Sequence, residues 1–250
     1  MNTSTIKQIC SNRIGLVVAT VIGIIAMTAL RAGAISQATT SASTTTAAQA
    51  NLQLVINVGN GEIQRRLTTL GNLTSGVDAA QYLAASDKSS LSSEISTETS
   101  ALTALQTKLD AETTVAGAAT DDSNVITEYR VYVLVVPKVY IVIAADNQQV
   151  TEGVLSNMAT GFQGVITADQ KAGKNVTSLQ SELSDLNGQV AAAKAISSAM
   201  ETSVVGLQPT DYNSDHTLLV GDYTKLQTAQ SDNGTAINDA NQLLTGLQSL

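Results

Sequence analysis

The sequence predicts an all-α protein, an elongated bundle of four or five long helices with coiled-coil-like seams. Apolar residues recur at alternating three- and four-residue steps through most of residues 51–250, which is the spacing of a buried stripe on a helix. Turn-forming residues separate these periodic segments. The 250 residues include one cysteine, Cys10, so apolar packing rather than disulfide bonding must hold the predicted bundle of residues 51–250 together.

The first 34 residues have the pattern of an export signal. Lys7 and Arg13 precede an uncharged apolar run from Ile14 to Leu30, and the small residues Ala32-Gly33-Ala34 follow it. The run is long for a cleaved signal and slightly short of the ~20 residues of a spanning helix. Residues 1–34 are therefore either a signal peptide or an N-terminal membrane anchor. Both interpretations predict an exported location at the cell surface, in the envelope or outside the cell.

Residues 35–50 are uncharged, and eight of these sixteen residues are Ser or Thr. This composition has no apolar face to bury, so it predicts a linker. Three basic residues lie before position 35 and the first acid is Glu62, so residues 35–250 carry 10 basic and 21 acidic residues, a net charge of −11. Such a surface favours cations or basic partners and disfavours nucleic acid.

The periodic apolar residues define the helices in order. The first helix carries Ile63, Leu67, Leu70 and Val77, and a weak break near Asp87 separates it from the second. The seam of the second helix consists of Leu91, Ile95, Leu102, Leu105 and Leu109. The fourth helix has the clearest seam, namely Val176, Leu179, Leu183, Leu186, Val190, Ala193, Ser197, Met200, Val204 and Leu207.

The last helix repeats this rhythm with two polar seam residues, Gln230 and Asn233. Polar residues at seam positions weaken packing but can fix the register between helices. The full predicted seam is Leu219, Tyr223, Leu226, Gln230, Asn233, Ile237, Ala240, Leu244 and Leu247.

Three turn-like stretches are predicted to separate these helices. Residues 117–124 should end the second helix, since Asp121, Asp122 and Ser123 are favourable N-caps. Gly173-Lys174-Asn175 should end the third, because glycine suits a left-handed C-terminal cap. Gln208-Pro209-Thr210-Asp211 should end the fourth, because proline is poorly tolerated inside a helix.

Residues 129–143 are rich in β-branched and aromatic side chains, which favours strands by propensity. An isolated hairpin is only marginally stable, however, and the flanking segments are helical. We therefore predict a buried third helix with a kink at Pro137, with Tyr129, Tyr132 and Tyr140 in the core. Strand remains the alternative.

The segment after Pro209 resembles a calcium-binding loop in spacing. Asp211, Asn213, Asp215 and Asp222 occupy its first, third, fifth and twelfth positions. His216 replaces the glycine of the sixth position, and Asp222 replaces the usual bidentate glutamate. The sequence therefore offers this loop only as a weak calcium candidate. The alternative is a plain interhelix turn in which Asp215 caps the last helix.

The sequence predicts no catalytic residue and no cofactor. His216 is the only imidazole, and so a Ser-His-Asp triad, a Cys-His pair or a multi-histidine metal site has too few members. The acidic pairs Asp121 with Asp122, and Glu94 with Glu98, are expected on solvated helix surfaces with no apolar neighbour to raise a pKa.

Several stretches resemble a group of exported helical proteins of candidate-phylum bacteria. They include Leu91-Ser92-Ser93-Glu94-Ile95, the run Tyr129 to Lys138, Ile143-Ala144-Ala145-Asp146 and Ala172 to Leu179. The likeness covers most of residues 60–248. It implies an all-helical body, an exported location and a helix at residues 129–143, and it carries over no catalytic or binding residue.

These observations predict a non-enzymatic, exported or surface-anchored bundle that acts as a spacer, scaffold or protein-interaction module. A protein partner or self-association is expected, because coiled-coil seams are interaction faces. Membrane contact is expected only through the N-terminal segment. The alternative is a membrane-active helical protein that exposes the apolar segment 131–145 after rearrangement.

Overall fold

The computed structural model describes residues 44–250, so the predicted export signal lies outside the described residues. The chain is all-α, as predicted, and no strand occurs in residues 44–250. Its helices are α1 (Thr44–Ala79), α2 (Ala85–Asp110), α3 (Val115–Thr127), α4 (Val136–Lys171), α5 (Thr177–Val204), α6 (Asp211–Ser214) and α7 (Asp222–Ser249). A π-helical turn, Val131–Val135, precedes α4. Helix α1 begins inside the segment 35–50 that was predicted as a linker.

The helices pack into two successive apolar cores that share α4. In the first core, α1, α2 and α3 surround the beginning of α4, where Val139 and Val142 are buried. In the second core, α5 and α7 pack against the remainder of α4, where Leu155 and Phe162 are buried. The long helix α4 therefore joins the two parts of the bundle.

The predicted seam of α5 is confirmed. Every seam residue from Val176 to Val204 is buried, and only Leu207, beyond the end of the helix, is partly exposed. Alternating steps of three and four keep one face of a helix turned towards its neighbours, and α5 packs along both α4 and α7.

The register predicted for α7 is wrong at two positions, since Tyr223 and Gln230 are exposed. Leu226, Asn233 and Ala240 are buried as expected, and Ile237 and Leu244 are partly buried against the second core. The buried stripe also includes three residues outside the predicted seam, namely Ala229, Ala236 and Leu243. Small residues suit this face because α7 lies close to α5, where a Cβ atom at Gly246 would overlap the side chain of Leu179.

Of the three predicted turn-like stretches, the one at residues 117–124 is misplaced and the two that follow it are confirmed. Residues 117–124 lie inside α3, because the chain already turns after Asp110 and the Thr114 hydroxyl accepts a hydrogen bond from the Gly117 amide at 3.1 Å. Gly173 follows α4 with a φ of 79°, the left-handed conformation that glycine adopts without strain. Pro209 lies between α5 and α6 as predicted.

The segment 129–143 is helical rather than strand-like, as predicted. The structure does not confirm a kink at Pro137, which lies in the first turn of α4, where a missing N–H is tolerated. The helix is instead interrupted at Arg130, whose φ is 43°. Tyr129 is partly buried and donates to the Ala101 carbonyl at 3.1 Å, but Tyr132 and Tyr140 are exposed, so their core placement was wrong.

Within residues 44–250, none of the helices combines the length and the apolar character that crossing a bilayer requires.

The seam of α5 yields a first prediction. Leu186→Ala should lower the free energy of unfolding by about 2–5 kcal/mol, because the fully buried leucine leaves a cavity in the second core. The same substitution at Leu54, whose exposed fraction is 50%, should change it by about 0.5 kcal/mol or less. Urea unfolding followed by circular dichroism measures both values, and equal losses would contradict the packing described here.

Candidate functional site

Six charged side chains lie in two groups of three along the region between α2, α4 and the end of α5, and we call this region the acidic cleft. Its members are Asp87, Glu94 and Glu98 of α2, Lys138 and Asp146 of α4, and Glu201 of α5. Five carboxylates thus accompany one ammonium group. At the Lys138 end the cleft encloses about 360 Å³, and Ser90, Ser93, Thr97, Val205 and Gln208 complete its walls.

The cleft follows from the helical spacing of polar residues beside the buried stripes. On α2, Asp87, Glu94 and Glu98 recur at seven- and four-residue steps, so they share one side of the helix. Leu91 and Ile95 lie in the same turns and are buried in the first core. The three acids are therefore held at the edge of an apolar core.

Lys138 is the centre of one half of the cleft. Only 1% of its surface is exposed, and its Nζ lies 2.6 Å from Glu94 Oε2. The same ammonium group donates to the Leu207 carbonyl at 2.5 Å. It thereby links α2 and α4 to the segment that follows α5. A buried ammonium group needs such partners, because its desolvation is otherwise uncompensated.

The expectation that Glu94 and Glu98 are solvated is wrong. Burial raises the pKa of Glu94, while the hydrogen bond and the charge of Lys138 lower it in part. Burial and the neighbouring Glu94 raise the pKa of Glu98 to about 7, despite the opposing effect of Lys138. At neutral pH the Glu98 carboxyl is therefore divided between its protonated and ionised forms.

The pair Asp121 and Asp122 also lies in a different environment from the one predicted. Asp121 is buried, and its Oδ1 lies 2.6 Å from the Nζ of Lys108. Burial and the charge of Glu62 raise the pKa of Asp122, and Arg66 opposes this effect. This pair belongs to the contact of α3 with α1 and α2 and not to the cleft.

In the other half of the cleft, three carboxylates converge. One oxygen each from Asp87, Asp146 and Glu201 lies within 4.8 Å of the other two. The Ala84 amide donates to Asp146 Oδ2 at 2.7 Å, and the Gln149 amide donates to Glu201 Oε2. Burial, followed by the charges of Asp146 and Glu201, raises the pKa of Asp87 to about 6. Oxygen atoms in this arrangement are suited to hard cations.

A separate polar layer lies between the two apolar cores. Ser197 Oγ donates to Glu152 Oε2 at 2.9 Å, and Asn233 Nδ2 donates to Gln148 Oε1 at 2.6 Å. Glu152, Ser197 and Asn233 are all buried. Asn233 therefore occupies a seam position with a partner on α4, as expected of a polar residue that specifies register.

Each residue of the predicted calcium loop has a hydrogen-bond or ion-pair partner within the protein. Asp211 accepts from the Gln208 amide at 2.8 Å, Asn213 accepts from Arg130 Nε at 2.7 Å, and Asp222 pairs with Lys225 at 2.9 Å. Asp215 accepts from the amide and hydroxyl of Thr217 in the turn before α7, so it does not cap that helix. His216 lies against the Tyr212 ring. Calcium binding by this loop remains a prediction.

No family model, curated protein or solved structure matches the chain. The resemblance to exported helical proteins of candidate-phylum bacteria accordingly stays a prediction.

The sequence does not predict the acidic cleft, because its six charged residues come from three segments that are far apart in the chain. A signal was nevertheless present: Lys138 is the one charged residue in the apolar run 131–145. A charge at such a position in a buried helix requires an opposite charge from another helix. Nothing in the sequence indicated that Glu94 supplies it.

The ion pair of Lys138 yields a second prediction. Lys138→Met should lower the free energy of unfolding at pH 7.5 by about 3–5 kcal/mol, because Glu94 then remains buried without its cation. Adding Glu94→Gln to this variant should restore part of the loss. The matched control is Lys171→Met, since Lys171 is exposed in the last turn of α4, and it should cost about 0.5 kcal/mol. An unaffected Lys138→Met variant would contradict the role given to this pair.

A third prediction concerns pH. Because folding raises the pKa of Glu98 above its usual value of 4.5, the folded protein holds this proton more tightly than the unfolded chain does. The resulting stabilisation is complete below about pH 4.5 and is lost as the pH rises through about 7.

Glu98→Gln removes this titration. It should therefore raise the free energy of unfolding at pH 8 by about 1–2 kcal/mol, after allowance for solvent screening, and have little effect at pH 4. Chemical denaturation at both pH values measures the difference. A variant that is equally stabilised or destabilised at both would refute the assignment.

Proposed function

We propose that this protein is a non-enzymatic, exported or surface-anchored helical bundle that serves as a spacer, scaffold or protein-interaction module. The observation that carries the proposal is the pair of apolar cores arranged in succession along α4. With 36 residues, α4 extends about 54 Å at a rise of 1.5 Å per residue. A helix of this length, packed on neighbours at both halves, is suited to holding two ends of a molecule apart.

The packing of α5 supports the same proposal. Its seam is buried from Val176 to Val204, so most of the apolar surface of this helix serves the bundle itself. The net charge of −11 on residues 35–250 favours a partner with a basic surface, since complementary charge accelerates and orients association. Location outside the cytoplasm rests on the N-terminal segment alone.

The alternative is a membrane-active protein that exposes residues 131–145. One observation favours it: Tyr132, Val133 and Tyr140 project from this segment into solvent, and aromatic side chains are favoured at membrane interfaces. Leakage of a dye from vesicles of neutral and anionic lipid, measured between pH 5 and 8, separates the two candidates. Leakage at any of these conditions would favour the alternative, and intact vesicles at all of them would remove it.

The scaffold proposal predicts an elongated particle. Small-angle X-ray scattering on residues 35–250 should give a radius of gyration clearly above the ~17 Å expected for a compact chain of this size. Light scattering during gel filtration gives the mass, so that a dimer is not mistaken for a long monomer. A monomer with the radius of a compact chain would refute the spacer role. N-terminal sequencing of the mature protein tests export separately.

A further inference from the structure

Three carboxylates from different helices form the acid-rich end of the cleft. Asp87 lies in the first turn of α2, Asp146 in the middle of α4 and Glu201 near the end of α5. Their oxygens lie within 4.8 Å of one another. Side chains so distant in sequence meet here only because the three helices converge, so this cluster differs from a run of acids on one solvated helix face.

Asp87 provides a second and independent observation. Its exposed fraction is 5%, and its Oδ2 atom is buried without a hydrogen-bond partner. Its carboxylate points into the cluster, because one of its oxygens lies within 4.8 Å of an oxygen of both Asp146 and Glu201. A buried carboxylate oxygen with no donor carries the full cost of desolvation. A cation within the cluster would remove this cost.

The groups around the cluster leave most of its charge unbalanced. The Ala84 amide and the Gln149 amide each provide one hydrogen bond, to Asp146 and Glu201 respectively. Among residues 44–250, no lysine, arginine or histidine forms an ion pair with any of the three carboxylates. These two amides and the Ser86 hydroxyl beside Asp87 are neutral, and they face up to three negative charges in a region where two of the side chains are almost completely buried.

We propose that Asp87, Asp146 and Glu201 bind one divalent cation, with Ca²⁺ preferred over Mg²⁺. Ca²⁺ takes six to eight oxygen ligands at about 2.3–2.6 Å in flexible geometry, whereas Mg²⁺ demands a near-ideal octahedron at about 2.0–2.1 Å. Ca²⁺ therefore tolerates the irregular geometry of ligands from three separate helices better than Mg²⁺ does. Water and neighbouring carbonyl groups would complete the coordination.

The bound ion would join parts of the bundle that otherwise have few apolar contacts with each other. Asp87 belongs to the helix that packs on α1 and α3, whereas Glu201 belongs to the helix that packs on α4 and α7. Ca²⁺ would therefore attach the beginning of α2 to α4 and α5 and stiffen the junction of the two cores. The proposal does not depend on the scaffold function, since it concerns the three side chains alone.

Calcium titration of the purified full chain tests the proposal. The protein is first freed of metal with EDTA and then titrated with CaCl₂ at pH 7.5 by isothermal titration calorimetry. We expect one ion per chain and a higher midpoint of thermal unfolding in CaCl₂ than in EDTA, because a ligand that binds only the folded state stabilises it. MgCl₂ is titrated in the same way and should bind more weakly.

Two variants locate the ion. Asp87→Asn and Asp146→Asn should each weaken Ca²⁺ binding about tenfold or more, because each removes one ligand charge. Both should still fold, since Asn has the shape of Asp and relieves repulsion within the cluster, and the metal-free Asp87→Asn variant should unfold at a higher temperature than the metal-free parent. Glu128→Gln removes one exposed acid outside the cleft and should leave Ca²⁺ binding unchanged.

Other results would overturn the proposal. Absence of binding heat and of any shift in the unfolding midpoint with Ca²⁺ would refute the cation site. Tighter binding of Mg²⁺ would refute the assigned ion. If Asp215→Asn abolishes binding while Asp87→Asn retains it, the ion belongs to the loop of residues 211–222 and not to this cluster.

Discussion

The fold follows from one requirement: α4 carries charged side chains into the interior, and each of them needs a partner from another part of the bundle. Lys138, Asp146 and Glu152 are all buried on this helix. Their partners are Glu94, the Ala84 amide and Ser197. Since breaking a buried charged interaction costs several kcal/mol, only one axial position of each neighbouring helix is compatible with these contacts. Apolar packing favours association of the helices, and the charged contacts select the register.

Because these polar side chains are buried beside their partners, apolar and polar layers alternate along the interior of the bundle. Apolar side chains form the two cores, and the hydrogen bonds of Glu152 with Ser197 and of Gln148 with Asn233 form the layer between them. The acidic cleft lies beside the first core, where α2 and α4 are bridged by side chains. Two cores in succession support the proposed spacer or scaffold role. The acidic cleft contains the site at which we propose that such a bundle binds a cation.

Elements with a local residue pattern could be predicted from the amino-acid sequence. The uninterrupted seam from Val176 to Val204 predicted α5, and Gly173 and Pro209 marked its two ends. Asn233 was predicted as a polar seam residue and is buried with a hydrogen bond to α4. The helical state of residues 131–143 was also predictable, because no neighbouring segment offered a sheet. Each of these features is indicated by residues close together in the sequence. Their side-chain spacing and their backbone preferences both favour the observed structure.

Which helix surfaces meet depends on the packing of the folded bundle and could not be predicted from the sequence. Helix α7 buries Ala229 and exposes Gln230, because close approach of two helices favours small side chains at the contact. Glu98 was assigned to a solvated surface, yet packing beside Glu94 and Lys138 brings its pKa to about 7. The cluster of Asp87, Asp146 and Glu201 joins residues from three helices. Charge, burial and proton affinity there depend on distances between helices, and a linear pattern of residues does not contain those distances.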